Sequence, residues 1–179
     1  MRMIVMHLSF FVTLAVAALI TGFLFGLLLV ELALYNLTGP QFVATQQVMD
    51  RQISAVMPGV MVLAIVAGAG LFVSIRYEPY TWSRALVVLG TVCSVLIMAS
   101  TAINNAPINQ MIQTWTAEAP PSNWATIRDT WVTWHIVRTI ISGIGLSSHL
   151  LALILLIRPS LGTVSKEVGI ASMTRERHV

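Results

Sequence analysis

Charge is what this chain has least of. Only 9% of its 179 residues are Asp, Glu, Lys or Arg, while 56% are hydrophobic; a soluble globular domain is about 25% charged. The deficit excludes an ordinary soluble domain and points to an integral membrane protein, short enough to form one domain. Cysteine is almost absent as well. Cys93 stands alone inside an apolar run, so no internal disulfide can form and cysteine usage does not indicate the compartment. The sequence contains no Walker loop, no G-x-S-x-G elbow, no H-E-x-x-H pair and no dinucleotide fingerprint, which removes the common nucleotide-driven, hydrolase and metalloprotease classes. No internal repeat is visible, and four spans without inverted symmetry argue against a secondary transporter. The net charge of +3 does not make a nucleic-acid surface, because the basic residues sit at the ends of apolar runs rather than in one patch.

What the chain does have is four apolar segments near or above the roughly 20 residues that cross a bilayer: about Leu8–Tyr35, Pro58–Ile75, Trp82–Ile103 and Trp124–Ile157, the last stopped by Arg158-Pro159. The first is too long for the roughly 7–15-residue apolar core of a signal peptide. The expected fold is therefore all-α, a four-transmembrane-helix bundle over residues 1–158 followed by a polar cytoplasmic tail, 159–179. With both termini in the cytoplasm, Arg2, Arg76, Arg84, Arg158, Lys166, Arg175 and Arg177 all lie inside, and only Arg51, Arg128 and Arg138 lie at or near the outer end. That asymmetry follows the positive-inside bias and suits a multi-pass protein of the cell (plasma) membrane.

The two outer loops are long enough for structure of their own. In "GPQFVATQQVMDRQISAVMPG", Phe42, Met49, Ile53 and Val56 share a helical stripe, with Gln46, Gln47, Asp50 and Arg51 elsewhere. This predicts an amphipathic helix that caps the bundle or lies on the membrane surface, with Pro58 starting or kinking the second span. In "NNAPINQMIQTW", Ile108, Met111, Ile112 and Trp115 recur at helical spacing; Asn105 suits a cap and Pro107 a first turn. Ser122 or Asn123 suits the cap of the fourth helix.

The fourth helix carries an unusual stripe. At about 100° per residue, Arg128, Trp131, His135, Arg138, Ser142, Gly145 and His149 fall within an arc of about 100°. Charged groups at membrane depth cost several kcal/mol unless they face water or a partner, so this face turns into the bundle. His135 lies 23 residues before Arg158, and Glu31 lies 23 residues after Leu8 on a helix running the other way; both distances are about 34 Å. Glu31, Asn104, Asn105, Asn109, His135 and Arg138 are thus expected to converge at the outer end of the bundle. The plain structural account is a Glu31–Arg138 pair that holds two helices together. The functional account is a small-molecule site: His135, Arg138 and Glu31 as catalytic candidates, with Asn105, Asn109, Trp131, Trp134, Arg128 and Tyr35 around the substrate. At least two of Trp115, Trp124, Trp131 and Trp134 belong to an ordinary interfacial aromatic belt.

Metal or haem is a weaker expectation. His135 and His149 are about 21 Å apart on one helix and cannot share an ion, and His7 lies near the opposite surface. The nine methionines read as packing rather than copper ligands. Gly22 and Gly26 form a G-x-x-x-G on the face opposite Glu31, the usual mark of helix packing or dimerisation.

The run "NNAPINQMIQTW", followed by W-x-x-I-R-x-x-W-x-x-W-H-x-x-R-T from Trp124 to Thr139, resembles the anthrone-oxygenase-like family of small four-helix membrane proteins. The shared pattern is Pro-x-Asn after the third helix and Trp-x-x-Trp-His-x-x-Arg-Thr at the start of the fourth; the Pro58-Gly59 opening of the second helix fits as well. On this chain the motif falls on Asn109, Trp131, His135 and Arg138. The resemblance implies oxidation of an anthrone to an anthraquinone by molecular oxygen with no redox cofactor, a cofactor-independent monooxygenase. In that chemistry a neutral His135 takes an acidic C–H proton, Arg138 or Asn109 stabilises the oxyanion, the tryptophans hold a flat lipophilic aromatic, anthrone- or quinol-like, and Glu31 orients His135 or neutralises Arg138. The sequence also allows a non-catalytic bundle: an accessory subunit of a larger membrane complex, or a lipid- or quinone-binding module. Membrane lipids and a homo-oligomeric partner are expected contacts in either case.

Overall fold

The computed structural model describes the backbone of residues 2–79 and 81–176 and the side chains of residues 3–79 and 81–157. The fold is all-helical. Helix α1 spans Arg2–Ala33, α2 Gly39–Ile75, α3 Thr81–Ser100, α4 Ala106–Gln113 and α5 Trp124–Glu176, with a π-helical turn, Thr101–Asn105, joining α3 to α4. Four stretches are long and apolar enough to cross a membrane: Met3–Ala33, Gly39–Ile75, Thr81–Gln113 and Trp124–Ile157. The chain is a multi-pass membrane protein.

Packing runs in tiers along the bundle. One end is filled by Phe10, Leu71, Ile75, Val87 and Ala152. The middle is filled by Val16, Ile20, Leu24, Met61, Ala64 and Ile97. Within the tiers, Thr13 donates to the Ala67 carbonyl at 3.1 Å and Thr21 to the Ser142 carbonyl at 3.2 Å, so the hydroxyls of α1 find acceptors on α2 and α5 instead of facing lipid unpaired. A third cluster, Phe42, Val43 and Ile112, closes the other end with Trp124 packed against it.

The loop helices differ from expectation in continuity. Residues 39–57 are helical, but they run straight into the second span: α2 has 37 residues with Pro58 inside it. Proline removes one intrahelical hydrogen bond without forbidding the helix when neighbouring elements hold both flanks. At 1.5 Å per residue α2 is about 55 Å long, against a hydrocarbon core of about 30 Å, so its first half projects past the apolar slab. The α3–π–α4 run, Thr81–Gln113, overshoots to a similar degree, and the two overhangs pack on each other. Gln47 Nε2 donates to the carbonyls of Ile112 and Trp115, both at 2.9 Å, and Gln113 Nε2 returns a bond to the Gln47 carbonyl at 3.1 Å. The N-terminus of α2 is fixed by Gln41, whose Oε1 accepts from Thr38 N at 3.0 Å and from Thr38 Oγ1 at 2.9 Å.

Two further expectations shift. Asn105 makes no side-chain cap; it is the last residue of the π turn. Helix α5 continues to Glu176 instead of ending at Arg158-Pro159. The side chains beyond Ile157, and with them the expected polar tail, lie outside the described residues, as does the side chain of Arg2.

Candidate functional site

Beyond the middle tier the helices enclose a cavity of about 430 Å³, within the range that holds a small organic ligand. Its floor and walls are apolar: Phe23, Leu24 and Leu27 from α1, Met57 and Met61 from α2, Met98 from α3. Its rim is polar, with Glu31 from α1, Gln46 and Asp50 from α2, Thr101, Asn105 and Asn109 from the π turn and α4, and Trp131, His135 and Arg138 from α5. Of Glu31, Asn104, Asn105, Asn109, His135 and Arg138, expected at one level, all but Asn104 line this one space, and Trp131 joins them. The π turn helps to create it. A single wide turn shifts the face of everything after it, and such turns are frequent at functional sites; here Thr101 and Asn105, at its two ends, both reach the cavity.

The α5 stripe is buried as its periodicity requires. His135 is 0% and Arg138 5% exposed. Arg138 Nη2 bonds His135 Nδ1 at 2.9 Å, and Nη1 donates to Thr101 Oγ1 at 3.0 Å. His135 Nε2 meets the Leu24 carbonyl of α1 at 2.9 Å. These partners settle the tautomer. Guanidinium can only donate and a carbonyl can only accept, so Nδ1 is the acceptor and Nε2 carries the hydrogen. The imidazole is neutral, and both of its nitrogens are engaged. The expected proton-accepting role of His135 therefore meets an obstacle: its lone pair points at Arg138, not at a ligand.

A second string fixes Trp131. Its ring stacks on His135 with centroids 5.1 Å apart and planes 5° from parallel, and the Arg138 guanidinium carbon lies 5.9 Å from its centroid. Trp131 Nε1 donates to Asn109 Oδ1 at 2.7 Å, Asn109 Nδ2 donates to Asp50 Oδ1 at 2.6 Å, and Gln113 Nε2 donates to Asp50 Oδ2 at 3.1 Å. Because the indole can only donate, the orientation of the Asn109 amide follows. Asn105 Nδ2 adds a bond to the Trp131 carbonyl at 3.2 Å. Asn109 is thus a spacer between Asp50 and Trp131.

Glu31 is 6% exposed, and its Oε1 has no hydrogen-bond partner. No ion pair joins Glu31 to Arg138 among the described residues, so the plain structural account, two helices held by a Glu–Arg bridge, does not describe this site. Asn105 Oδ1 and Arg138 Nε are likewise buried without partners. Glu31, Asn105 and Arg138, which all line the cavity, thus each hold a sealed polar atom that nothing in the protein satisfies. Buried polar groups are normally paired, and these three exceptions gather around one space.

Three sequence candidates lie elsewhere. Arg128 Nη1 donates to the Tyr35 carbonyl at 2.8 Å, its guanidinium sits 4.0 Å over the Tyr35 ring, and it pairs with Asp129 at 2.9 Å. Tyr35 Oη also reaches Asp129, at 3.1 Å. The pair clasps the end of α1 to the start of α5 and does not line the cavity. Trp134 is also absent from the lining, because it sits about 100° around the helix from His135. Conversely, Gln46, Asp50 and Thr101 were not singled out. Their signal was present: Gln46, Met49, Asp50, Ile53, Met57 and Met61 recur at spacings of three and four straight through Pro58, and all of them line the cavity. Deeper in the bundle His149 is 2% exposed and lies against Gly90, where a Cβ would fall 2.5 Å from its ring. It is part of the α3–α5 contact, away from the cavity. No three His, Cys, Asp or Glu among the described residues cluster as metal ligands.

No curated protein and no solved structure matches the chain. The family model described as anthrone oxygenase matches residues 46–148, more than half of the chain. That span holds Asp50, Asn105, Asn109, Trp131, His135 and Arg138; Glu31, on α1, lies before it. The chain belongs to the anthrone oxygenase family.

Proposed function

We propose that this protein is a membrane-embedded oxygenase that uses O2 to oxidise a lipophilic aromatic carrying an acidic C–H conjugated to a carbonyl, an anthrone-like compound. The observation that carries this reading is the buried Arg138, held by Thr101 and His135 at the wall of a largely apolar cavity in a chain of this family. The apolar walls and the Trp131 ring accept a flat hydrocarbon. Loss of the C–H proton leaves an electron pair that delocalises onto the carbonyl oxygen, and the fixed N–H of Arg138 stabilises that oxyanion. The arginine needs no reorganisation, since Thr101 and His135 already hold two of its nitrogens. The anion passes electrons to O2, a C–O bond forms, and the resulting hydroperoxide loses water to leave a second carbonyl. In sum, CH2 and O2 become C=O and H2O.

The excess of basic residues in the segments that would lie on one side of the membrane supports a plasma-membrane protein with both termini inside and the cavity at the outer end, reached by its substrate from the outer leaflet. The test is oxygen consumption by the purified protein in detergent with anthrone as substrate. One O2 should be consumed per quinone formed, and Arg138→Ala should lower the enzymatic rate by about 10²–10³-fold. A wild-type protein that neither consumes oxygen nor yields quinone ends the proposal and leaves the non-catalytic binding module.

A further inference from the structure

Proton abstraction needs an acceptor with a free lone pair facing the substrate, and the geometry at the cavity selects one. His135 Nδ1 is occupied by the Arg138 guanidinium, and Nε2 carries the hydrogen that binds the Leu24 carbonyl. To accept a proton His135 would have to break the bond to Arg138 and place a second positive charge beside the first. Asp50 is committed twice over, to Asn109 and to Gln113. Glu31 lines the same cavity, is nine-tenths buried, and its carboxyl group makes no hydrogen bond or ion pair with another described residue.

We infer that Glu31 is the catalytic proton acceptor of this cavity, and that His135 is a positioning residue that aims Arg138. The assignment rests on the oxygenase reading above; Glu31 itself lies before the family match, which begins at Gln46. The substrate C–H bond breaks, its electron pair stays with the carbon and conjugated carbonyl, and the proton goes to the Glu31 carboxylate. After O2 adds, the carboxylic acid returns that proton to the peroxide anion. Glu31 then takes the remaining proton from the same carbon as the O–O bond breaks, and transfers it to the departing hydroxide as water. The carboxylate is restored at the end of the cycle, and one acid–base group serves both transfers. The second orphan acceptor, Asn105 Oδ1, cannot take part, since an amide oxygen does not hold a proton at neutral pH.

The proposal separates proton transfer from oxygen chemistry, so it is tested without oxygen. Full-length protein in detergent is mixed anaerobically with anthrone deuterated at its CH2 carbon, and deuterium wash-out into water is followed. Quenching of tryptophan fluorescence reports binding in the same samples. Wild type should accelerate wash-out over the buffer rate. Glu31→Gln should lose that acceleration by about 10²–10⁴-fold, the usual worth of a general base, with anthrone affinity within a few-fold of wild type. His135→Asn keeps an acceptor for Arg138 but has no basic nitrogen. It should retain wash-out to within about tenfold, whereas a catalytic imidazole would be lost with it. Glu31→Asp keeps the carboxylate and should rescue part of the rate, which covers the case in which Glu31→Gln does not fold. Wash-out at the wild-type rate in Glu31→Gln, or its abolition in His135→Asn with binding intact, overturns the assignment while the oxygenase reading stands. A wild type that binds anthrone but neither exchanges its deuterium nor consumes oxygen overturns both.

Discussion

The guanidinium of Arg138 reaches Nδ1 of His135, one turn back along the same helix, at 2.9 Å. That contact converts two residues of a sequence motif into one device. The imidazole bridges α1 and α5 through the Leu24 carbonyl, and the arginine it steers spans on to Thr101. A lysine at 138 cannot copy this, because an ammonium is a single donor atom on a flexible stem and cannot span His135 and Thr101 as the two arms of the planar guanidinium do. Removing one such fixed donor costs about 10²–10³ in kcat. Arg138→Ala should show that loss in oxygen consumption with anthrone, and Arg138→Lys should recover about tenfold at most. An undiminished kcat in Arg138→Ala would remove the oxyanion role.

Thr101 accepts from Arg138 Nη1 and donates to the Ile97 carbonyl at 2.8 Å. Thr101→Val has the same shape but leaves a buried guanidinium N–H unpaired, which costs about 1–3 kcal/mol. Thr101→Ser keeps the hydroxyl. In thermal unfolding in detergent, the valine variant should melt clearly below wild type and the serine variant close to it. If both melt alike, the hydroxyl does not hold the arginine.

Asp50 ties the first half of α2 to α4 through Asn109 and Gln113. Asp50→Ala leaves two amide donors without their acceptor at an overhang that lies past the apolar slab. The expected result is local loosening: faster hydrogen exchange over residues 39–57, with unchanged protection in α1 and α5. Because Asn109 also receives Trp131, anthrone affinity should weaken as well. Uniform exchange across all helices would instead mean that the overhang is held by its apolar contacts, Phe42, Val43 and Ile112.

Much of this architecture was legible in the sequence because lipid allows few backbone solutions. Four apolar runs gave four spans, and the 3.6-residue period of α5 placed Trp131, His135, Arg138, Ser142 and His149 on one buried face. The level of Glu31 followed from antiparallel counting alone. Hydrogen-bond assignment did not follow, because periodicity fixes the direction in which a side chain points and not what it meets. Thus Glu31 and Arg138 share a cavity without pairing, and Arg128 faces Tyr35 and Asp129. The π turn at Thr101–Asn105 was also invisible: no residue type demands one, and it rotates α4 relative to any count made along an ideal helix. Pro58 led to a break at the second span for a local reason, yet contacts on both flanks carry α2 through it.

Gly90 and His149 mark the closest approach of α3 to α5. A Cβ at Gly90 would stand 2.5 Å from His149 Cε1 and 2.6 Å from Nε2, while a Cβ at Gly22 would meet nothing within 4 Å. The imidazole is 2% exposed, so the added methyl must displace a buried ring or separate the helices. Overpacking of this kind costs about 1–3 kcal/mol. Gly22→Ala, on an open helix face, should be neutral or stabilising by up to about 1 kcal/mol from helix propensity. Melting of the two variants in the same detergent should therefore move in opposite directions. Adding His149→Ala to Gly90→Ala tests the cause. If the ring is the obstacle, the double variant should be more stable than the sum of the single effects, with a coupling of about 0.5–3 kcal/mol. Strict additivity would mean that the added methyl meets something other than the histidine.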